Sequence, residues 1–349
     1  MGVYTAIDKS TDHFKTVLYT GQHPSTTTVN VGFKSDFLWL KSRTQTYNHY
    51  AFDTTRGGNS FINPNTTAKA STSGDNVTFN ATSFVANTQA INEAAQGSNN
   101  MVSWSWKANG GTTSSNSSGS ITSTVQANTT AGISIVKYDG TGSNATVGHG
   151  LGVAPDAIIM KNYTRSSLQH WIVAHRNLPS GFNDAIFLDL DNAKDTDSSY
   201  WNNTSPTSTV FSIGTNDKCN GNGDNHIAYC FAQKTGFSSF GSFTGNGNAD
   251  GPFIYTGFKP AWVMYKVSSA VEDWLMFDPE RIHSGTNLKY LEPNTNDAEG
   301  HINVDLLSNG FKIGEASGAK FNQSGATYIY MAFAKSPFVS SAGVPTTAE

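Results

Sequence analysis

The chain has 349 residues, enough for two or three ordinary domains, and its 37% hydrophobic and 12% aromatic content can fill real cores. Only 14% of it is charged, against a usual value of about a quarter, and the net charge of −4 comes without a basic cluster, which excludes nucleic-acid binding through phosphate neutralisation. No apolar run approaches the ~20 residues of a membrane helix, so membrane insertion is not expected.

Ser, Thr, Asn and 33 Gly stand where charge is missing. The first three compete for backbone hydrogen bonds and Gly loses the most entropy on ordering, so long helices are disfavoured. Short strands joined by turns are favoured instead, and an all-β protein is expected.

Residues 1–18, which open "MGVYTAIDKSTDHFK", lack the basic and then apolar order of a signal peptide and predict an N-terminal arm on a protein made in a cytoplasm. A first unit, 19–108, carries "VGFKSDFLWLK" (31–41) and "HYAFD" (49–53) and closes on "MVSWSW" (101–106). Residues 109–131 have no charge and no aromatic side chain. Their first half predicts a flexible or extended linker, and Ile121 to Val125 predict an edge strand lying along a domain. A second unit, 132–236, repeats the earlier phrase as "HGLGVAPDAIIMK" (149–161), and a third, 237–338, repeats it as "YTGFKPAWVMYK" (255–266). Residues 339–349 read as a solvated tail.

Setting Lys161 against Lys266 pairs Gly140 with Gly245, Gly142 with Gly247, Gly152 with Gly257 and Pro155 with Pro260, without an insertion. In the first unit Gly32, Phe33 and Lys41 match Gly257, Phe258 and Lys266. Downstream, His49 to Asp53, Trp171 to His175 and Trp274 to Asp278 correspond. Closing strands follow in "MVSWSW", "IAYCFA" (227–232) and "IYMAFA" (329–334), where large residues alternate with small ones at the period of a packed strand. Repeats of this length with several short strands predict three tandem β-sandwich units, jelly-roll or lectin-like, of about 100 residues each.

Chemistry-bearing patterns are few. The nine histidines form no HExxH or Cys/His zinc spacing. Cys219 and Cys230 are too few for a disulfide scaffold. Asp53, His175 and Asp278 share one repeat position, with Arg56 and Arg281 three residues on in two copies. Such a pair binds a polar ligand or fixes a turn, and its recurrence favours the turn. In "LDLDNAKDTD" (188–197), Asp189, Asp191, Asp195 and Asp197 alternate as hard-cation ligands do, yet the EF-hand pattern fails at Lys194 and Tyr200, so a solvated acidic loop is the plainer reading. Trp201, in the polar "SSYWNNTSPTS", is the one tryptophan whose context predicts exposure, and with Asp189, Asp191 and Asp195 it is the candidate contact residue. No catalytic, metal or cofactor motif is present.

"GTGSNATVGHGLGVAPDAIIMKN", "SSYWNNTSPTSTVFSIGT", "FGSFTGNGNADGPFIYTGFKPAWVMYK" and the phrases around "GFKIG" and "TYIYMAFAKSPF" resemble a tandem-repeat domain of virion proteins of marine tailed bacteriophages. The resemblance spans most of the chain and is strongest over 132–338. It implies a non-enzymatic structural or appendage protein, exposed as a head decoration or knob or as a tail component. The implied partners are other virion proteins and further copies of the chain, with location in the virion, and no cofactor or catalytic residue is carried over. A second reading is a tail-fibre receptor-binding protein that grips host surface glycan or an outer-membrane protein, and a third is a glycan depolymerase.

Overall fold

The computed structural model describes residues 4–346 apart from 73, 75, 88, 93–99, 167, 285, 286, 316 and 317. The protein is mostly β, with 45% strand and 6% helix, arranged in several antiparallel sheets. Among the described residues no helix is long and apolar enough to cross a membrane.

In chain order the first stretch holds β1 (Phe14–Thr20), β2 (Thr27–Asn30), β3 (Phe37–Ser42), β4 (Tyr50–Asp53), β5 (Val77–Phe79), β6 (Ser83–Ala86) and β7 (Asn100–Trp106). The second holds β8 (Ser114–Asn116), β9 (Ser123–Asn128), β10 (Ile133–Asp139), β11 (Ala145–Gly148), β12 (Ala157–Asn162), β13 (Ile172–His175), β14 (Asp184–Phe187), β15 (Asp195–Thr196), β16 (Val210–Ile213) and β17 (Asn225–Phe231). The third holds β18 (Ser238–Thr244), β19 (Phe253–Tyr255), β20 (Phe258–Val267), β21 (Leu275–Ser284), β22 (Asn287–Leu291), β23 (Gly300–Leu307), β24 (Gly310–Ile313) and β25 (Thr327–Pro337).

The same strand order recurs three times, as β1-β7-β3-β4, β10-β17-β12-β13 and β18-β25-β20-β21. Register repeats with it: Phe14 and Phe37 flank Trp106, Ile133 and Ala157 flank Phe231, and Ser238 and Trp262 flank Phe333. A second pairing also recurs, of β2 with β6, β11 with β16 and β19 with β24. The glycine of the repeated phrase is needed at this point in all three. Gly32, Gly152 and Gly257 have φ of 98°, 74° and 81°, a left-handed turn that delivers the chain into β3, β12 and β20.

Decoration differs between the copies. In the third stretch, β22, β23 and β24 continue the sheet round to β19, giving one near-closed eight-strand barrel whose unpaired edges are β18 and β19. In the second, β14 and β15 extend one edge and β9 and β8 the other. The first half of 109–131, expected to be a flexible or extended linker, carries β8 on the sheet edge, and Ile121 to Val125, expected to be an edge strand, run into β9, which pairs with β10 one strand in from that edge while Ile121 bridges to Val147. The first half gave no strand signal because Ser, Thr and Asn lack hydrophobic pattern, yet their backbone can still extend an open sheet edge. The first strand also starts earlier than expected, at Phe14 inside the 1–18 arm. The tail turns back on itself, where Ser341 is held by Asp8 and Val339 bridges to Pro345, and its last three residues lie outside the described ones.

One apolar core joins the three stretches. The Phe333 ring packs on Phe14 and Trp106 from the first stretch, Phe231 from the second and Trp262 from its own, all with centroids 5.3–5.9 Å away. Trp106, Phe231 and Phe333 occupy the same position in the three closing strands, so the core centre is built from repeat-equivalent rings. Phe333→Ala is therefore expected to cost about 3–5 kcal/mol in urea unfolding, and Phe333→Leu under about 1.5 kcal/mol. An alanine variant as stable as the parent would contradict a shared core.

Candidate functional site

The shared Asp, His and Arg position lies where the stretches meet. Asp53, at the end of β4, takes the Arg56 guanidinium at 2.6 Å and, on the same Oδ2, the Tyr229 hydroxyl of the second stretch at 2.8 Å. Asp278, in β21, takes Arg281 at 2.7 Å and, again on Oδ2, the Trp104 indole N–H of the first stretch at 3.0 Å. The side chains of Asp278 and Arg281 have no exposed surface, and the guanidinium sits 5.2 Å from the Trp104 ring. His175, the second-stretch counterpart, bonds through Nε2 to the Tyr330 carbonyl of the third stretch at 3.1 Å. Each stretch thus reaches the closing strand of the next, and the third returns to the first.

Two more sets of contacts run round the same ring. The residue preceding β4, β13 and β21 donates a ring N–H backward: Trp171 to the Asn63 carbonyl and Trp274 to the Phe187 carbonyl, at 2.9 and 2.7 Å. His49 takes the same part through Nε2 to the Glu292 carbonyl, at 3.1 Å. Two residues beyond each repeat lysine, the carbonyls of Arg43, Tyr163 and Ser268 accept the backbone N–H of Glu299, Ala70 and Lys194, one from each preceding stretch. The lysines themselves, Lys41, Lys161 and Lys266, are buried with Nζ against backbone carbonyls, those of Ser42 and Gln45, of Thr66 and Gln169, and of Val267 and Ala270. Burial pushes the Lys41 ammonium down to about 7 and those of Lys161 and Lys266 to about 8. Three like-handed contacts that close after three steps make an intramolecular ring with pseudo-threefold symmetry.

The residues proposed from sequence as contacts fall elsewhere. Trp201, expected to be exposed, is 1% exposed. It ends a one-turn helix, α1 (Ser198–Trp201), N-capped by Asp197, and the turn drives Tyr200 and Trp201 into a separate apolar cluster of the second stretch, with Tyr138, Ile158 and Phe211, while their polar neighbours face water. The acidic loop does not converge on one point. The Asp189 carboxylate is buried between His170 Nδ1 and the Trp171 N–H, both 2.9 Å away, and Asp195 accepts the Tyr200 hydroxyl. Asp191 gives its carbonyl to the Glu272 N–H across the joint with the third stretch. Among the described residues no group of three or more His, Cys, Asp or Glu is placed to hold a metal ion. Cys219 and Cys230 are buried free thiols, and burial pushes Cys219 up to about 12.

What the sequence reading missed is the set of ring N–H donors at 49, 171 and 274 and the buried lysines. The signal was present in the alignment, where a Trp or His precedes each fourth strand and a Lys ends each third one, but nothing in a strand pattern names the partner. The open surface holds a different feature. A cavity of about 350 Å³ lies between the β18 and β19 edges, with Ser238, Tyr255, Thr256 and Gly257 on the barrel side, Gln233, Thr235 and Gly236 on the connection from the second stretch, and Tyr4, Phe338 and Val339 from the two chain ends. A second cavity of about 260 Å³ is lined by Ile282, Leu288, Val304 and Leu307 among others.

These features define a class: a mostly-β protein in which three like sets of strands are locked into a ring by buried carboxylates, imidazoles and indoles. The chain belongs to the family described as a domain of unknown function (DUF7483), whose model matches residues 9–337. No curated protein matches it.

Two outcomes test the ring. Asp278→Ala leaves Arg281 buried without its carboxylate and is expected to cost about 3–5 kcal/mol, while Trp104→Phe, which removes only the donor, should cost about 1–2 kcal/mol. Denaturation of the two singles and the double should show coupling above about 0.5 kcal/mol, and strict additivity would contradict the contact.

The second concerns acid. His49 accepts from Trp39 Nε1 at 2.9 Å and His175 from the Asn177 N–H at 3.1 Å, both on Nδ1, so each imidazole is held neutral with its proton on Nε2. Burial pushes His175 down to about 4 and His49 well below the ordinary histidine range. The unfolded chain takes up these protons near pH 6.5, whereas the folded chain does not do so at His175 until about 4, nor at His49 until well below the ordinary histidine range. Stability is thus full above 6.5 and should fall by up to about 1.4 kcal/mol per pH unit for each imidazole as pH drops through that window. A urea midpoint unchanged from about pH 7 to about 4.5 would contradict this.

Proposed function

We propose that the protein is a non-enzymatic structural component of a tailed-phage particle, exposed as a head decoration or knob or as part of the tail. The observation that carries this reading is the ring itself. Its buried acids and imidazoles are repeated, paired and spent on joining the stretches, which is how a chain invests in a rigid body rather than in a reaction centre. The repeat phrases, similar to those of marine phage virion proteins, supply the biological setting, and low charge with many short strands suits a component released by lysis. We also propose that the three stretches are copies of one sandwich of about 100 residues, since strand order and register recur. Further copies of the chain and other virion proteins are the partners this reading implies.

A tail-fibre receptor-binding role is the second reading, favoured by the cavity at the barrel edge and the exposed tyrosines beside it. Mass spectrometry of purified particles is expected to find the protein, and density in an imaged particle should assign it to head, tail or fibre. Particles free of the protein would overturn both readings.

A further inference from the structure

We infer that the cavity between β18 and β19 is a binding site for a neutral saccharide unit. The site exists because the eight-strand sheet stops short of closing: β18 and β19 are its two unpaired edges, and the space between them is the kind of barrel mouth in which small ligands sit. Its volume of about 350 Å³ falls at the lower end of the range for small-molecule sites, roughly 300–1,000 Å³.

Lining chemistry selects the ligand. No lining side chain is an acid, a lysine, an arginine or a histidine, so nothing there neutralises an ionic group. Tyr4 and Tyr255 are 55% and 64% exposed, large aromatic surfaces left open beside a concavity. The Tyr255 ring lies beside Gly257, with its hydroxyl 3.6 Å from where a Cβ would stand, which is ordinary van der Waals distance.

Hydrogen-bonding capacity is also in place. Gln233 spends its Oε1 on Arg176 and on the Phe240 N–H, and among the described residues no acceptor takes its Nε2. The hydroxyls of Thr235, Tyr4 and Tyr255 are likewise unclaimed among those residues. Neutral donors and acceptors round two aromatic faces match a pyranose, which carries hydroxyls at its rim and C–H groups on its faces. A purely apolar ligand would strand the Gln233 amide, and an anion would find no cation. The inference rests on the same cavity as the receptor-binding reading and deepens it, while sugar binding and presence in the particle are read by separate assays that can fail separately.

Saturation-transfer NMR on the full chain with glucose, galactose, N-acetylglucosamine and maltose tests it, with glucuronate and a proline-rich peptide as competing probes. At least one neutral sugar should bind. Tyr255→Ala should weaken it about tenfold, Tyr255→Phe by less, and Leu168→Ala, at an exposed site away from the cavity lining, should leave it unchanged. Near-UV circular dichroism confirms that each variant folds. No transfer from any neutral sugar, equal binding by Tyr255→Ala, or preference for glucuronate or the peptide would each overturn the assignment.

Discussion

A carboxylate with no exposed surface needs its lone pairs occupied, and a guanidinium beside it needs its donors placed, or the cost of leaving water exceeds what the pair returns. Asp278 and Arg281 meet that demand only with help from elsewhere in the chain. Asp278 Oδ2 takes Arg281 and the Trp104 indole together, and Arg281 reaches back to the Met276 carbonyl and across to Glu299. Trp104 belongs to the closing strand of another stretch, so this acid is satisfied only when the first and third stretches are both folded and docked. The same holds for Asp53 with Tyr229. A stretch standing alone would bury an under-partnered acid or expose it, and the shared aromatic core would be open on one side. Folding of one stretch and docking of the next are thereby coupled.

The second stretch shows how the ring tolerates a change of chemistry. His175 stands where the other two carry Asp, and Leu178 stands three residues on where they carry Arg. A neutral imidazole needs no counter-charge, so losing the arginine costs nothing at that joint, and Nε2 still supplies the cross-stretch bond. In the first stretch the exchange is at the other position, where His49 does what Trp171 and Trp274 do. A ring N–H aimed at a carbonyl is conserved in geometry while its carrier changes. Both exchanges place a histidine at a buried joint, which makes two of the three joints the acid-sensitive ones.

Much of the fold was legible in the chain because a strand announces itself locally. Alternation in the closing strands and the Gly and Lys that bound each third strand follow from neighbours in sequence, and the Asp and Arg pair where the repeat placed them, in a turn at Asp53–Arg56 but within β21, at a break in its register, at Asp278–Arg281. What escaped depends on how elements meet. Trp201 sits among Ser, Asn and Thr, and its burial follows from a one-turn helix that rotates two aromatic residues inward, which a polar window cannot report. The first half of 109–131 lacks pattern because an added edge strand needs only backbone, and Ser side chains at such an edge face water. For the candidate contacts, the carboxylates of 188–197 alternate as ligands would, yet Asp189, Asp191 and Asp195 each answer to a different partner.

Where recognition can occur follows from where the ring spends its groups. Side chains locked in the joints have no capacity left for a ligand, and the strands that carry them are the ones shared by all three stretches. Strand content varies in what is added outside that frame: β5 in the first stretch, β8 and β9 on one sheet edge and β14 and β15 on the other in the second, and the barrel-forming strands of the third. Only the third adds enough strands to curl its sheet nearly shut, and an incompletely closed sheet leaves two edges facing each other across a gap. The connection from the second stretch and both chain ends converge on that gap. Those segments are not constrained by the repeat, so their side chains are free to be selected for something other than holding the ring together.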